Sequence, residues 1–456
     1  MRRDPSRDRL GEYGVPSSAY ECEGARVSEH AEVVRIAREL IRFDTSNYGD
    51  SSGPGERLAA EYVANELAEV GISSEIFESE KGRTSLVARV AGADSSRGAL
   101  VIHGHLDVVP AAASDWQIDP FAGEIAGDYL WGRGAVDMKD MCAMTLASVR
   151  SMVREGRTPP RDLIIAMVAD EEAGGHLGAQ FLVEQRPHLL EGATEAIGEV
   201  GFSITTDKVR LYLIETAQKG LHWMRLTAHG RAGHGSMVND DNAVTRLCDA
   251  VSRLGNHEFP LVITPTVRQF LEGVSDALQI DLDPNDIEAT LAKLGPIARI
   301  VGATLRNTIN PTVLNAGYKA NVVPGTATAE FDGRFLAGQD EEFTKTVREL
   351  VGPDIDIETV SHGISVETTF DGDLVAAMDA AVKADDPLAR TVPYMLSAGT
   401  DAKHLSTLGI RCFGFVPIPL PADLDFTALF HGIDERIPLD SLVSGQRILD
   451  RFLMSS

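Results

Sequence analysis

Asp162 to Gly175 reads DLIIAMVADEEAGG. The unbroken apolar run from Leu163 to Val168 predicts a strand buried on both faces, with Asp170, Glu171 and Glu172 set at its C-terminal edge. Side chains adjacent on irregular chain point to different places, so one carboxylate can hold a cation while its neighbour works on what the cation holds. A solvated turn is the alternative for this stretch alone. The rest of the chain decides between them.

Working outward, Ala99 to Gly104 is a second apolar strand and ends in HGHLDVVPA. Short strands are expected at Ser73 to Phe77 and Ser85 to Val90, after helices at Glu29 to Phe43 and Arg57 to Val70. The first helix shows its face through Val33, Ile36, Ala37, Leu40 and Ile41 at helical spacing. Asp137 to Arg154, following the loop WGRGAVD, is a Met- and Ala-rich helix. Strands alternating with helices predict an α/β fold, a mixed and mostly parallel sheet covered by helices, whose C-terminal strand edges carry the chemistry.

After Thr216 the texture changes. QKGLHWMRLTAHG alternates like a half-exposed strand, Asp241 to Leu254 is a helix, and strand-like stretches follow at Asn315 to Val323 and Ala327 to Phe335. A helix at Glu341 to Val351 and a strand near Ile355 to Val360 complete a β-α-β-β-α-β order, interrupted by a long insertion from His257 to Ile300. The expected organisation is a disordered leader at 1–26 and a first catalytic part at 27–216. An inserted α+β, ferredoxin-like domain follows at 217–362, and the main sheet resumes in 363–456.

The chain has 456 residues, 43% hydrophobic and 24% charged, which suits two or three ordinary globular domains. A formal net charge of -26 argues against nucleic acid or an anionic membrane as partner. Cys22, Cys142, Cys248 and Cys412 are scattered without CxxC spacing, as reduced thiols in a cytoplasmic protein would be. The N-terminal segment has no apolar core of a signal peptide, and no run approaches a membrane span.

Several residues have the chemistry of a metal site. His105 and Asp107 lie two apart beyond a buried strand, so in extended chain the imidazole can take a metal while the carboxylate holds its other nitrogen. A structural histidine is the plainer reading of that pair by itself. Asp137 sits in a Gly-rich loop at a helix start, where an N-cap is the ordinary role. Glu199 in AIGEVGF and His431 in FHGIDERI are ambiguous singly. Together His105, Asp137, Glu172, Glu199 and His431 supply two imidazoles and three carboxylates, a set suited to two zinc-like ions sharing one carboxylate. Glu171 is left beside them, where a general base is wanted.

From residue 30 to about 450 the chain resembles the dinuclear zinc aminoacylase and carboxypeptidase family, which includes aminoacylase-1, carboxypeptidase G2, carboxypeptidase S, acetylornithine deacetylase and succinyl-diaminopimelate desuccinylase. The resemblance is carried, in order, by GHLDVVPA, WGRGAVDMKD, ADEEAGGHLGAQFLV, GRAGHGS, NVVPG, SAGTDAKHL and FHGIDERI. The insertion at 257–300 and the approach PIPLPADLDFTALFHG look most like the carboxypeptidase S branch.

The resemblance implies a zinc exopeptidase-like fold and two Zn2+ per subunit, replaceable by Co2+ or Mn2+. His105, Asp137 and Glu199 would hold one ion and Asp137, Glu172 and His431 the other, with Asp107 buttressing His105 and Glu171 moving the proton of the attacking water. The inserted domain would be a lid and homodimer contact, with His234 reaching the oxyanion, often in the partner's site. Asn321, Arg334 and Gly399 would grip a substrate carboxylate.

The implied reaction is hydrolysis of an N-acyl amino acid or short peptide. A dipeptidase or carboxypeptidase is the rival within the class, and a metal-free binding protein on the same fold the rival outside it. Three positions depart from the family pattern: Asp140 follows DMK in place of a small residue, Gly198 replaces an acid before Glu199, and His362 stands where a second arginine is usual.

Overall fold

The computed structural model describes residues 31–456 except 51, 207, 284, 285, 295 and 296, so the expected leader and Cys22 lie outside the described residues. All six residues of Leu163–Val168 are buried. Alternate side chains enter two different cores: Leu163, Ile165 and Met167 join one cluster, and Ile164, Ala166 and Val168 the other. A strand sandwiched in this way has no polar face, which is why its sequence reads as a continuous apolar run.

It pairs in parallel with Ala99–His105 and antiparallel with Arg83–Val90. Ala99–His105 pairs in parallel with Ala193–Gly198, and Ala193–Gly198 with Arg411–Gly414. Antiparallel strands at the margins complete a mixed sheet, as expected. Helices Glu32–Arg42, Lys139–Arg154 and Leu439–Leu453 cover one face, burying Ile36, Leu40, Met144, Leu442 and Phe452. The other face is closed by Leu182, Val183, Ala402 and Leu405.

Arg210–Gln218 belongs to this sheet, and one residue later Gly220–His229 begins a second one. The four antiparallel strands of that sheet lie in the order Thr308–Ala316, Thr326–Phe335, Gly220–His229, Ile355–Gly363. Helices Ala243–Gly255 and Asp340–Val351 pack on one face, where Leu247, Leu254, Phe343 and Val347 meet Met224, Leu226 and Phe331. The order and the one-sided helices are ferredoxin-like, and Val366–Glu367 returns to the main sheet opposite Gln218 and Ala217.

The segment read as an insertion in the small domain belongs elsewhere. Helix Pro265–Leu278 carries Val267, Phe270, Leu271 and Val274 at helical spacing, and these join the core of the central sheet with Tyr212, Val392 and Tyr394. Ile287–Leu294 and Ala298–Gly302 add Leu294 and Val301 to the same cluster. Position along the chain suggested the small sheet, but the apolar face found the larger surface to bury against. The strand expected at Asn315 to Val323 is also divided. Its first residues end Thr308–Ala316, and Val322–Val323 forms a ribbon with Gly233–His234.

Candidate metal and catalytic site

Three neighbouring parallel strands end at one edge of the central sheet. They deliver His105, the Asp170–Glu172 turn and Glu199 side by side. The chain leaves these strands abruptly: Asp170 has φ 70 and Val200, β-branched, has φ 63. A β-branched residue in the left-handed region costs about 1–3 kcal/mol and persists because its surroundings over-determine it. Here that strain accompanies the turn just after Glu199. Asp137 arrives from the loop before Lys139–Arg154, two residues outside the helix it was expected to cap.

His105 Nε2 lies 3.2 Å from Asp137 Oδ1 and 3.4 Å from Glu199 Oε2. His431 Nε2 lies 3.2 Å from Asp137 Oδ2 and 3.1 Å from Glu172 Oε2. Each trio, His105–Asp137–Glu199 and Asp137–Glu172–His431, brings one donor atom per residue within 4.8 Å of the others. The five residues expected as ligands are therefore assembled as two groups that share Asp137. Two imidazole nitrogens and three carboxylates fit a pair of divalent cations of the zinc type.

The charge balance agrees with that fit. Burial opposes a proton on His105, but Glu199 and Asp137 outweigh it and raise the imidazole well above its ordinary value. Bonds to Asp137 and then Glu172 lift His431 to about 10. Burial, with Glu199 next, pushes Glu171 well above the carboxylate range, and burial also leads the rise at Glu172 and Glu199. So many acids in so little water call for positive charge among them.

The family described as Peptidase family M20/M25/M40 matches residues 101–455. The chain belongs to that family. Membership makes it a metal-dependent hydrolase of amide or peptide bonds, as its motifs imply. Relatives include an N-fatty-acyl-amino acid synthase/hydrolase of Xenopus tropicalis, 29% identical over 439 residues that cover 91% of this chain and 84% of that protein. Aminoacylase-1 of Sus scrofa is 27% identical over 420 residues, covering 90% and 92%. The fold is that of a solved M20 metallo-carboxypeptidase from Sulfolobus solfataricus, with a TM-score of 0.71 at 19% identity over 93% of this chain and 99% of that one.

In this M20 chain Asp107 works differently from the expectation. His105 Nδ1 meets the backbone carbonyl of Asp107 at 2.9 Å, whereas the nearer carboxylate oxygen is 3.7 Å away. The carboxylate instead accepts the backbone N–H groups of Glu171 and Glu172, both at 3.1 Å, and an amide N–H of Asn47 at 2.9 Å. Asp107 thus positions the acidic turn. The strand ends at His105, and Asp107 lies beyond it.

Glu171, Glu172, Arg334, Gly399 and His431 line one cleft of about 560 Å3. The fork of Arg334 is engaged by Asp332, Nε to Oδ1 at 2.6 Å and Nη2 to Oδ2 at 3.1 Å. His234 on the small ribbon and Asn321 just before its second strand are exposed neighbours, joined through the Gly235 N–H to the Asn321 carbonyl at 2.9 Å, and neither lines that cleft.

Two further groups shape the M20 site without having been singled out from sequence. Buried Glu435 accepts the N–H of Val136 at 2.7 Å and of Gly134 at 3.1 Å and pairs with Arg133 at 2.7 Å. Arg133 also donates to the Gly432 carbonyl at 2.9 Å, so the loops carrying Asp137 and His431 are tied together. Partners 302 residues apart leave no local sequence signal. Asn47 links Asp107 to Asp170 at 3.2 Å in the same way. The departure at Gly198 has a packing reason: a Cβ there would stand 2.1 Å from the ring of buried His103, which fills the space an acidic side chain would need.

Proposed function

We propose that this M20 hydrolase releases an amino acid from an N-acyl amino acid, using two divalent cations of the zinc type held by His105, Asp137, Glu172, Glu199 and His431. The observation that carries the reading is the sharing of Asp137, whose two oxygens face different histidines. Cations bound there supply Lewis acidity for an amide carbonyl and for water.

Glu171, fixed in the cleft through its backbone bond to Asp107, takes a proton from the attacking water as the oxygen adds to the amide carbon. The same carboxyl then hands that proton to the leaving nitrogen as the C–N bond breaks, giving a carboxylic acid and an amine, which the acid's remaining proton converts to a carboxylate and an ammonium. Arg334, released from Asp332, offers a bidentate partner for the substrate's own carboxylate beside Gly399.

Acyl amino acids are favoured over peptides by the names of the two relatives, one an N-fatty-acyl-amino acid synthase/hydrolase and the other an aminoacylase. The position of His234 and Asn321 away from the cleft of their own chain supports a homodimer in which they serve the partner's cleft. A cytoplasmic setting fits Cys142, Cys248 and Cys412, all unpaired. The test is a screen of zinc- and cobalt-loaded protein against N-acetyl amino acids, fatty-acyl amino acids and dipeptides. Higher kcat/KM on dipeptides than on any acyl amino acid would replace this reading with the peptidase one.

A further inference from the structure

The small sheet carries a second cluster of metal-binding side chains, remote in sequence from the five ligands above. His222 and His362 are directly opposed on neighbouring antiparallel strands, so their side chains leave the sheet on one face. Their rings meet edge to face with centroids 4.7 Å apart. Helix Asp340–Val351 covers that face and sets Asp340 at its first turn, where Oδ1 lies 3.1 Å from His362 Nε2. One donor atom from each of the three residues lies within 4.8 Å of the others.

His222 adds an independent observation. The residue is 6% exposed, its Nε2 lies 3.0 Å from Thr359 Oγ1, and its Nδ1 has no hydrogen-bond partner. A buried polar atom without a partner is costly and rare. With Nε2–H donating to Thr359, Nδ1 keeps its lone pair, the tautomer and outer support that metal-binding histidines use.

We propose that His222, His362 and Asp340 form a separate metal site that takes one divalent transition-metal ion such as Zn2+, Co2+ or Ni2+. Two imidazoles and one carboxylate suit these ions and not Ca2+ or Mg2+, which take oxygen donors. The adjoining pocket holds Lys345 and Arg348 as well as Glu341 and Glu349, so basic side chains are offset by acidic ones. Lys345 is itself 3.5 Å from Glu342. His362 is exposed at the sheet edge and leaves room for water as a further ligand.

The position gives the ion a mechanical role. It joins strands Gly220–His229 and Ile355–Gly363 to helix Asp340–Val351, and His362 also lines the catalytic cleft. Four residues after His362, Val366 pairs with Gln218 of the central sheet. An ion there braces the place where the two sheets meet.

The experiment uses tag-free full-length protein, zinc at fixed free concentration, and elemental analysis after gel filtration. Asp340→Asn and His362→Ala are each made in the wild type and in a His105→Ala/His431→Ala background that lacks catalytic ligands. Both substitutions change solvent-facing side chains, and circular dichroism checks the fold. Each is expected to remove one zinc per chain in both backgrounds, and added zinc is expected to raise the melting temperature of the His105→Ala/His431→Ala protein but not that of its Asp340→Asn derivative. Zinc content unchanged by Asp340→Asn and by His362→Ala in both backgrounds overturns the proposal. Zinc content unchanged by His105→Ala/His431→Ala would instead count against the two-cation reading of the main site, so the two failures are distinct.

Discussion

The carboxylate Oδ1 of Asp107 accepts the backbone N–H of Glu171 at 3.1 Å, so the end of one central strand holds the proposed catalytic base carried by the next. Removing that acceptor frees the acidic turn, Glu172 included, while leaving all five candidate ligand side chains chemically intact. Asp107→Ala is expected to lower kcat by about 10- to 100-fold, the usual cost of losing such support. Steady-state kinetics on metal-saturated protein checks this, and an unchanged kcat would show that the turn holds itself.

Glu171 lines the cleft but belongs to neither ligand trio. Glu171→Ala should therefore keep its full metal content and lose about 10²- to 10⁴-fold in kcat. Elemental analysis beside kinetics separates the two effects. A kcat within about tenfold of wild type would assign the base to another residue.

Metal-stripped protein should lose stability as pH rises. His431 is raised from 6.5 to about 10, and Glu171, Glu172 and Glu199 are also raised, so the folded state binds more protons than the unfolded one. For groups raised on folding, the stabilisation is fully present below the unfolded pKa and is lost on passing the folded one. Between pH 6.5 and about 10 the chelator-treated protein should melt at progressively lower temperature, with a smaller decline in the metal-loaded protein. Buried Lys139 and Lys219, lowered to about 8 and about 7, act in the opposite direction, so the curves are compared with those of a stripped His431→Ala protein, and a decline no steeper than in that variant would contradict the His431 shift.

Phe270 is 2% exposed in the central core although its helix lies between segments of the small domain. Phe270→Ala should cost about 3–5 kcal/mol. Hydrogen exchange locates the loss: protection should fall in Arg210–Gln218 and Arg390–Leu396, the strands this helix packs on, and persist at Met224 to Ala228. The reverse pattern would return the helix to the small sheet.

If His234 serves the partner's cleft, inactive His234→Ala and inactive Glu171→Ala chains should complement when mixed. One cleft in such a mixed dimer has both residues intact, so up to about half of wild-type activity per mixed dimer is expected from that count of clefts. Mixing after partial unfolding and assaying the product tests this. Activity no higher than that of the separate variants would confine His234 to its own chain or remove it from catalysis.

The sequence by itself determined the fold class and pointed to the five residues that the structure brings together. The run from Leu163 to Val168 is apolar because both of its faces are buried, and that requirement is written locally, residue by residue. The candidate ligands His105, Glu172 and Glu199 lie at or just past strand ends, which the apolar runs before them mark in the sequence. What only the tertiary structure decided depends on groups distant along the chain. Examples are the clamp of Glu435 on the Asp137 loop, the grip of Asp107 on the acidic turn, the engagement of Arg334 by Asp332 and the attachment of Pro265–Leu278 to the central sheet. Hydrogen bonds and apolar contacts act over a few ångströms in space whatever the separation in sequence, so their partners are fixed only when the chain has folded.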